Sequence, residues 1–264
     1  MVLRIKIKEE NKLKKFKSLW EGLTFPSKSF GDFIITEYIN SKHVVVQFVN
    51  THNKVKTTVA NIKTGYVRDK SARKVYGVGI NDIGDTLDVN GKFNRTYQLW
   101  VDVIKRSHCP KFKSKNETYS HVTCSENWFL YSKFIHDIEK MTGYANTDWF
   151  LDKDILSKGV KTYSSETCCF VPREINNLFT KRRKCRGEYP IGVSLYKTTL
   201  KFKSTVSVGG GKIHLGVYNT PEEAFYVYKR EKEKYIKEVA EKWKGQIDPR
   251  VYEVLMSYEV SVCD

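Results

Sequence analysis

No run of eighteen apolar residues occurs in the 264-residue chain, so no membrane-spanning helix is expected. The start of the chain, Met1-Val2-Leu3-Arg4-Ile5-Lys6, alternates charge with apolar residues and has no apolar signal core. An intracellular protein is the expectation. Cysteine is sparse. The six are Cys109, Cys124, Cys168, Cys169, Cys185 and Cys263, and none forms a Cys-x-x-Cys pair. A zinc site from Cys109, Cys124 and Cys168 would depart from the spacing of common zinc ribbons, and reduced, partly buried thiols are the expected state. Gly77-Val78-Gly79-Ile80-Asn81-Asp82-Ile83-Gly84 is glycine-rich but lacks the Gly-Lys-Ser/Thr ending of a phosphate loop. No histidine lies between His136 and His214. Acids are also in short supply, with 30 against 46 Lys and Arg, for a net charge of +16. That imbalance favours anionic partners and says nothing about fold.

The length suits two or three small domains with a real core. The expected class is α+β and multidomain: a small β domain over 1–85, a helix-rich central domain over 86–180 and a sheet-plus-helix domain over 186–264. In the first, Phe33–Ile39, Val44–Val49 and Val55–Val59 read as strands of a barrel or meander. Lys54, Lys56, Lys63 and Arg68 make it a weak second candidate surface for nucleic acid. In the second, Tyr97, Trp100, Val101 and Ile104 read as one helix stripe. Trp128, Tyr131, Phe134, Ile135, Ile138 and Met141 read as another, and aromatics at helical spacing are usually core. Leu151–Leu156, a turn at Lys158-Gly159, Tyr163–Val171 and Pro172–Phe179 then read as strand, loop, strand, helix.

The third segment carries the sharpest pattern. Val193–Tyr196 is a short apolar and aromatic run. Lys201–Val208 alternates, with Lys201, Lys203, Thr205 and Ser207 on one face and Phe202, Ser204, Val206 and Val208 on the other. Gly209-Gly210-Gly211 suits a tight hairpin turn. The following strand is read as Lys212, His214, Gly216 and Tyr218 on one side and Ile213, Leu215 and Val217 on the other. Thr220-Pro221-Glu222-Glu223 signals a helix start. Ala224, Val227, Tyr228, Tyr235, Val239 and Trp243 form a stripe that can cover the apolar sheet face. The face left exposed is Tyr196, Lys201, Lys203, Thr205, Lys212 and His214. Between Lys181 and Lys212 there are nine Lys or Arg residues and one acid. A cationic sheet face of this kind points to double-stranded DNA, with side chains set against base edges and phosphates.

Gly192-Val193-Ser194, the Lys201–Val208 strand, Lys212–Tyr218 and Thr220-Pro221-Glu222-Glu223-Ala224 resemble the ethylene-response-factor-type (APETALA-like) DNA-binding domain. Tyr97-x-x-Trp100, Lys105-Arg106, Trp128 followed by Phe134, Leu151-Asp152-Lys153-Asp154, Tyr163-x-x-Glu166-x-Cys168 and Ile175-Asn176 resemble phage-type HNH homing endonucleases, in which such a segment often precedes that domain. The resemblance runs from Tyr97 to Trp243. It implies a central ββα-metal domain and a C-terminal three-stranded antiparallel sheet that reads the major groove.

For chemistry, the resemblance implies hydrolysis of phosphodiester bonds with a divalent metal, magnesium being suited to hard oxygen ligands. Asp152 takes the metal-ligand slot and Asn176 the ligand slot on the helix. The slot of the general base falls on Lys153, treated as an exposed lysine that stays protonated, and the slot of its positioning Asn falls near Thr167. Asp154 is the alternative base or second ligand. Lys181, Arg182, Arg183 and Lys184 would grip phosphates between the two domains. The expected function is thus a phage-type endonuclease or nickase acting on duplex DNA in an infected bacterial cell, with no small-molecule cofactor and no membrane. The alternative is a non-catalytic DNA-binding or regulatory protein with a degenerate HNH site. An RNA-binding protein is a weaker third reading, since no recognition sheet with paired stacking aromatics is present.

Overall fold

The structure is a computed structural model describing residues 19–84, 86–88, 90–157, 159–179 and 188–262. Among these it is mixed α+β, with seven α-helices and five small sheets. None of the helices is long and apolar enough to cross a membrane. The chain forms two compact units, residues 1–112 with 126–134, and 113–125 with 135–264.

The first unit opens with a four-stranded antiparallel meander: β1 (Thr24–Ser27), β2 (Gly31–Asn40), β3 (His43–Phe48) and β4 (Lys54–Thr57). Strands β2 to β4 are those expected from alternation, whereas β1 was not foreseen. Val59, read as strand, instead begins α1 (Val59–Thr64), because Thr58 caps that helix through the Asn61 N–H. Phe33, Ile35, Val44, Val46, Phe48 and Ile62 fill the core beneath the meander.

A polar cluster gathers around Asp69. Asp69 is only 2% exposed. Its carboxylate accepts from the Asn53 amide at 2.8 Å and the Ser71 N–H at 2.9 Å, and also from the Thr51 and Ser71 hydroxyls. Burial alone would raise its pKa, but these donors together outweigh it and hold the carboxyl below 3.8. A depressed carboxyl stabilises the folded state above its unfolded pKa, and that contribution is lost as pH falls through the folded value. Stability of this unit is therefore expected to drop below about pH 4. Asp69→Ala should cost about 2 kcal/mol at neutral pH and flatten that acid loss, as read by urea melts over a pH series.

Arg68, one of the basic residues of the second candidate surface, is half-buried. Its guanidinium turns inward and donates to the carbonyls of Gly84 at 2.9 Å and Asn81 at 3.2 Å.

The central segment is not one module. A hairpin of β5 (Arg73–Val75) and β6 (Gly79–Ile80) leads to α2 (Arg95–His108), capped by Asn94, and to a short α3 (Pro110–Lys115). Trp100 packs on Gly79, where an added Cβ would lie 3.0 Å from the indole. Its Nε1 donates to the Trp128 carbonyl at 2.7 Å. Trp128 meets Phe134 edge-on at 5.0 Å, and Trp100, Trp128, Tyr131 and Phe134 are buried. This tryptophan core is built on the β5–β6 hairpin, and residue 85, the expected boundary, falls within the first compact unit. Helix α4 (Tyr131–Ile138) spans the division between units, and Met141 lies beyond its end.

In the second unit, β7 (Thr123–Cys124) pairs parallel with β9 (Thr162–Tyr163), and β8 (Phe150–Asp152) pairs antiparallel with β10 (Cys169–Val171). The stretch Tyr163–Val171 is therefore two strand fragments in different sheets, separated by a turn in which Thr167 Oγ1 donates to the Thr162 carbonyl at 2.6 Å. Helix α5 (Arg173–Leu178) follows and lies against β8. The order strand, strand, helix is present, in shorter pieces than expected.

Strands β11 (Val193–Tyr196), β12 (Lys201–Val208) and β13 (Gly211–Tyr218) form an antiparallel sheet covered by the long helix α6 (Pro221–Lys242). Thr220 and Glu223 close a full capping box at its start. The buried stripe is Ala224, Phe225, Tyr228, Ile236, Val239 and Ala240. It differs from the expected stripe in Phe225, Ile236 and Ala240, while Val227, Tyr235 and Trp243 are half-buried. An unforeseen helix, α7 (Pro249–Met256), packs on α6 and buries Val251 and Leu255. Glu174 on α5 accepts from Lys242 Nζ at 2.7 Å and Trp243 Nε1 at 2.8 Å, which ties the sheet-covering helix to the ββα segment inside one unit.

The Ser204 hydroxyl is buried under α6 without a partner. Leaving such a group unmade costs about 1–3 kcal/mol. Ser204→Ala is expected to stabilise the second unit by about 1 kcal/mol, read by denaturant midpoint.

Candidate nucleic-acid interface

The register of the C-terminal sheet settles which side chains share a face, because directly opposed residues in an antiparallel pair point the same way. Tyr196 opposes Lys201, and Ser194 opposes Lys203. Thr205 opposes His214, and Ser207 opposes Lys212. Val206 and Ser204, at alternate positions, are buried against α6. Tyr196, Lys201, Lys203, Thr205, Lys212 and His214 therefore lie together on the side away from the helix. Tyr196, Lys201, Lys212 and His214 are exposed, and Lys203 and Thr205 are half-buried. Gly209 and Gly210 both have positive φ, 58° and 86°, and form the two-residue turn between β12 and β13.

One part of the expected alternation is overturned. The register shifts between Ser204 and Thr205, so that Leu215 is an extra residue on β13. Past this bulge Gly216 opposes Ser204 and Tyr218 opposes Phe202, both on the helix side, while Val217 opposes Lys203 on the open side. Gly216 adopts φ +132°, and Tyr218 folds back so that its hydroxyl donates to the Leu215 carbonyl at 2.9 Å. The open face therefore gains Val217, which strict period-two reading placed inside. It also includes Ser194 and Ser207, which alternation with the lysines would have supplied.

Lys181, Arg182, Arg183 and Lys184 lie outside the described residues.

The ββα segment places its candidates as follows. Asp152 ends β8, opposite Cys169. Its Oδ1 accepts from the backbone N–H of Asp154 at 2.7 Å and of Ile155 at 2.9 Å, closing a turn. Burial pushes the Asp152 carboxyl above 3.8, against the pull of those two N–H groups. Asn176 sits on α5, which lies against β8. Asp154 is exposed. Lys153 is not the exposed lysine that the sequence suggested. It is 7% exposed, and its ammonium is paired with the Asp154 carboxylate. The rings of Tyr163 and Tyr119 stand 5.7 Å and 6.0 Å from Nζ.

For a divalent cation the ligand set here is thin: Asp152 Oδ1 already accepts from two amides, and an ion-paired ammonium occupies the next position. Among the described residues no group of three or more His, Cys, Asp or Glu side chains gathers to hold a metal. The thiols are no substitute. Cys124, Cys168 and Cys169 are buried and free, and burial pushes them up, Cys168 to about 12. Cys109, the third member of the imagined zinc set, belongs to the other compact unit.

Compared with known proteins, the chain matches no family model, no curated protein and no solved structure.

Proposed function

We propose that this chain is a duplex-DNA-binding protein that lays its C-terminal sheet against the major groove. The observation that carries this reading is the register, which puts Tyr196, Lys201, Lys203, Thr205, Lys212 and His214 on the sheet face turned away from α6. Lysines at alternate positions suit phosphates on either side of a groove. Thr205 and His214, opposite each other at the centre of the β12–β13 pair, are placed to hydrogen-bond base edges. The net charge of +16 supplies the long-range attraction.

Hydrolysis of the bound DNA is the second reading. It is favoured by the order β8, β10, α5, with Asp152 and Asn176 on elements that lie against each other. The pairing of buried Lys153 with the exposed Asp154 carboxylate speaks for a ββα segment kept as scaffold, since a paired ammonium cannot take a proton from water.

The tests are direct. Labelled duplex oligonucleotides should bind at low salt, with affinity falling steeply as salt rises. A chain that ignores duplex at low ionic strength would end the proposal. Supercoiled plasmid incubated with magnesium should be shifted and left intact by both the natural chain and Asp152→Ala. Nicking by the natural chain that Asp152→Ala abolishes would establish the enzyme instead.

A further inference from the structure

A groove of about 360 Å³ opens in the first unit, beside the β5–β6 hairpin. Its lining includes Lys74, Val75, Tyr76, Phe93, Tyr97 and Gln98. Two aromatic walls are exposed, with Phe93 59% and Tyr76 39% accessible. Phe93 and Tyr97 stand 5.3 Å apart, centroid to centroid, at a tilt of 39°. Such a surface offers ring faces rather than a closed aliphatic core.

The hairpin turn makes the arrangement informative. The Val78 N–H donates to the Val75 carbonyl, and the two central residues, Tyr76 and Gly77, have φ of +49° and +79°. Positive φ at both centres marks a type I′ turn, whose first central position favours Asn, Asp or Gly. A tyrosine there works against local preference, and residues held in this way cluster at binding sites. The backbone strain projects a ring to the wall of an aromatic groove.

We propose that this groove stacks one unpaired nucleobase of a single-stranded nucleic acid. Three features select that occupant. The walls are aromatic faces, which take planar rings. The Lys74 ammonium at the rim, which also lies 5.5 Å from the Phe30 ring, suits the attached phosphate. The Gln98 amide and the Tyr76 and Tyr97 hydroxyls can pair with a base edge. The volume sits near the lower end of small-ligand sites, about 300–1,000 Å³, and suits one nucleotide rather than a helix or strand. This site lies in the first unit and the sheet face in the second, and the proposal does not depend on duplex binding.

The test compares a short oligothymidylate with an abasic oligomer of the same length and charge, binding the full-length chain by fluorescence anisotropy. A stacked base contributes about 1–3 kcal/mol, so the thymidylate should bind roughly 5- to 150-fold tighter. Tyr76→Gly should abolish that preference while holding or raising the melting temperature, because glycine suits the positive φ. Phe93→Ala should abolish it too, and neither variant should alter duplex affinity. Equal affinity for the two oligomers, or a preference that survives Tyr76→Gly, would overturn the proposal.

Discussion

Gly192→Ala is expected to destabilise the second unit by about 2–5 kcal/mol, the largest effect foreseen for any single methyl group here. Two costs combine. Gly192 has φ +79°, a region that costs an L-residue roughly 1–2 kcal/mol. An added Cβ would stand 2.1 Å from Cδ2 of Tyr228, a ring fixed in the core between sheet and helix. Relieving that overlap adds about 1–3 kcal/mol. The residue cannot simply move, because its carbonyl accepts the Thr205 N–H at 2.8 Å and so joins β11 to β12. Gly210→Ala separates the two terms. Gly210 also has positive φ, at 86°, but an added Cβ would meet nothing within 4 Å. It should lose only about 1 kcal/mol. Urea denaturation, with hydrogen exchange at the β11 and β12 amides, reads both. Equal losses in the two variants would show that the Tyr228 contact is not tight.

The double substitution Lys201→Ala/Lys203→Ala is expected to weaken duplex binding about tenfold and to reduce the slope of log affinity on log salt by about one per lysine. Both side chains stand on the open face, and Lys201 is exposed, so the melting temperature should barely change. A charge-matched control comes from the same unit. Lys234 and Lys237 are exposed on α6, the element that covers the other side of the sheet. Lys234→Ala/Lys237→Ala removes the same charge from the wrong place. If both pairs weaken binding equally, only net charge matters and the sheet face is not the contact surface.

Much of the fold was legible because it follows local rules. The meander strands β2 to β4, the β12 alternation, the two-glycine turn and the Thr220 capping box each depend on a few adjacent residues. Of the two aromatic stripes, Trp100, Ile104, Trp128, Tyr131, Phe134 and Ile138 are core, as helical spacing implies, whereas Tyr97, Val101, Ile135 and Met141 are half-buried. What failed depended on long-range packing. The short strand β1 carries too few residues to show a period. Helix α7 gains its stability from packing on α6 rather than from its own eight residues. Nothing near residue 85 reveals that Trp100 packs on Gly79, a contact that joins the two sides of that position within one compact unit.

The candidate sites divide the same way. By itself the chain's order of residues determined that lysines, a threonine and a histidine alternate with apolar neighbours, since a strand turns each successive side chain to the opposite face. Tertiary structure alone decided where that alternation breaks. One extra residue at Leu215, accommodated by the left-handed backbone of Gly216, exchanges Val217 for Gly216 and Tyr218 on the open face. It also decided the fate of Lys153, which is buried beside Asp154 with the rings of Tyr119 and Tyr163 close to its ammonium. Alternation is a property of one strand, whereas a bulge or a buried charge exists only through the partners that the folded chain brings beside it.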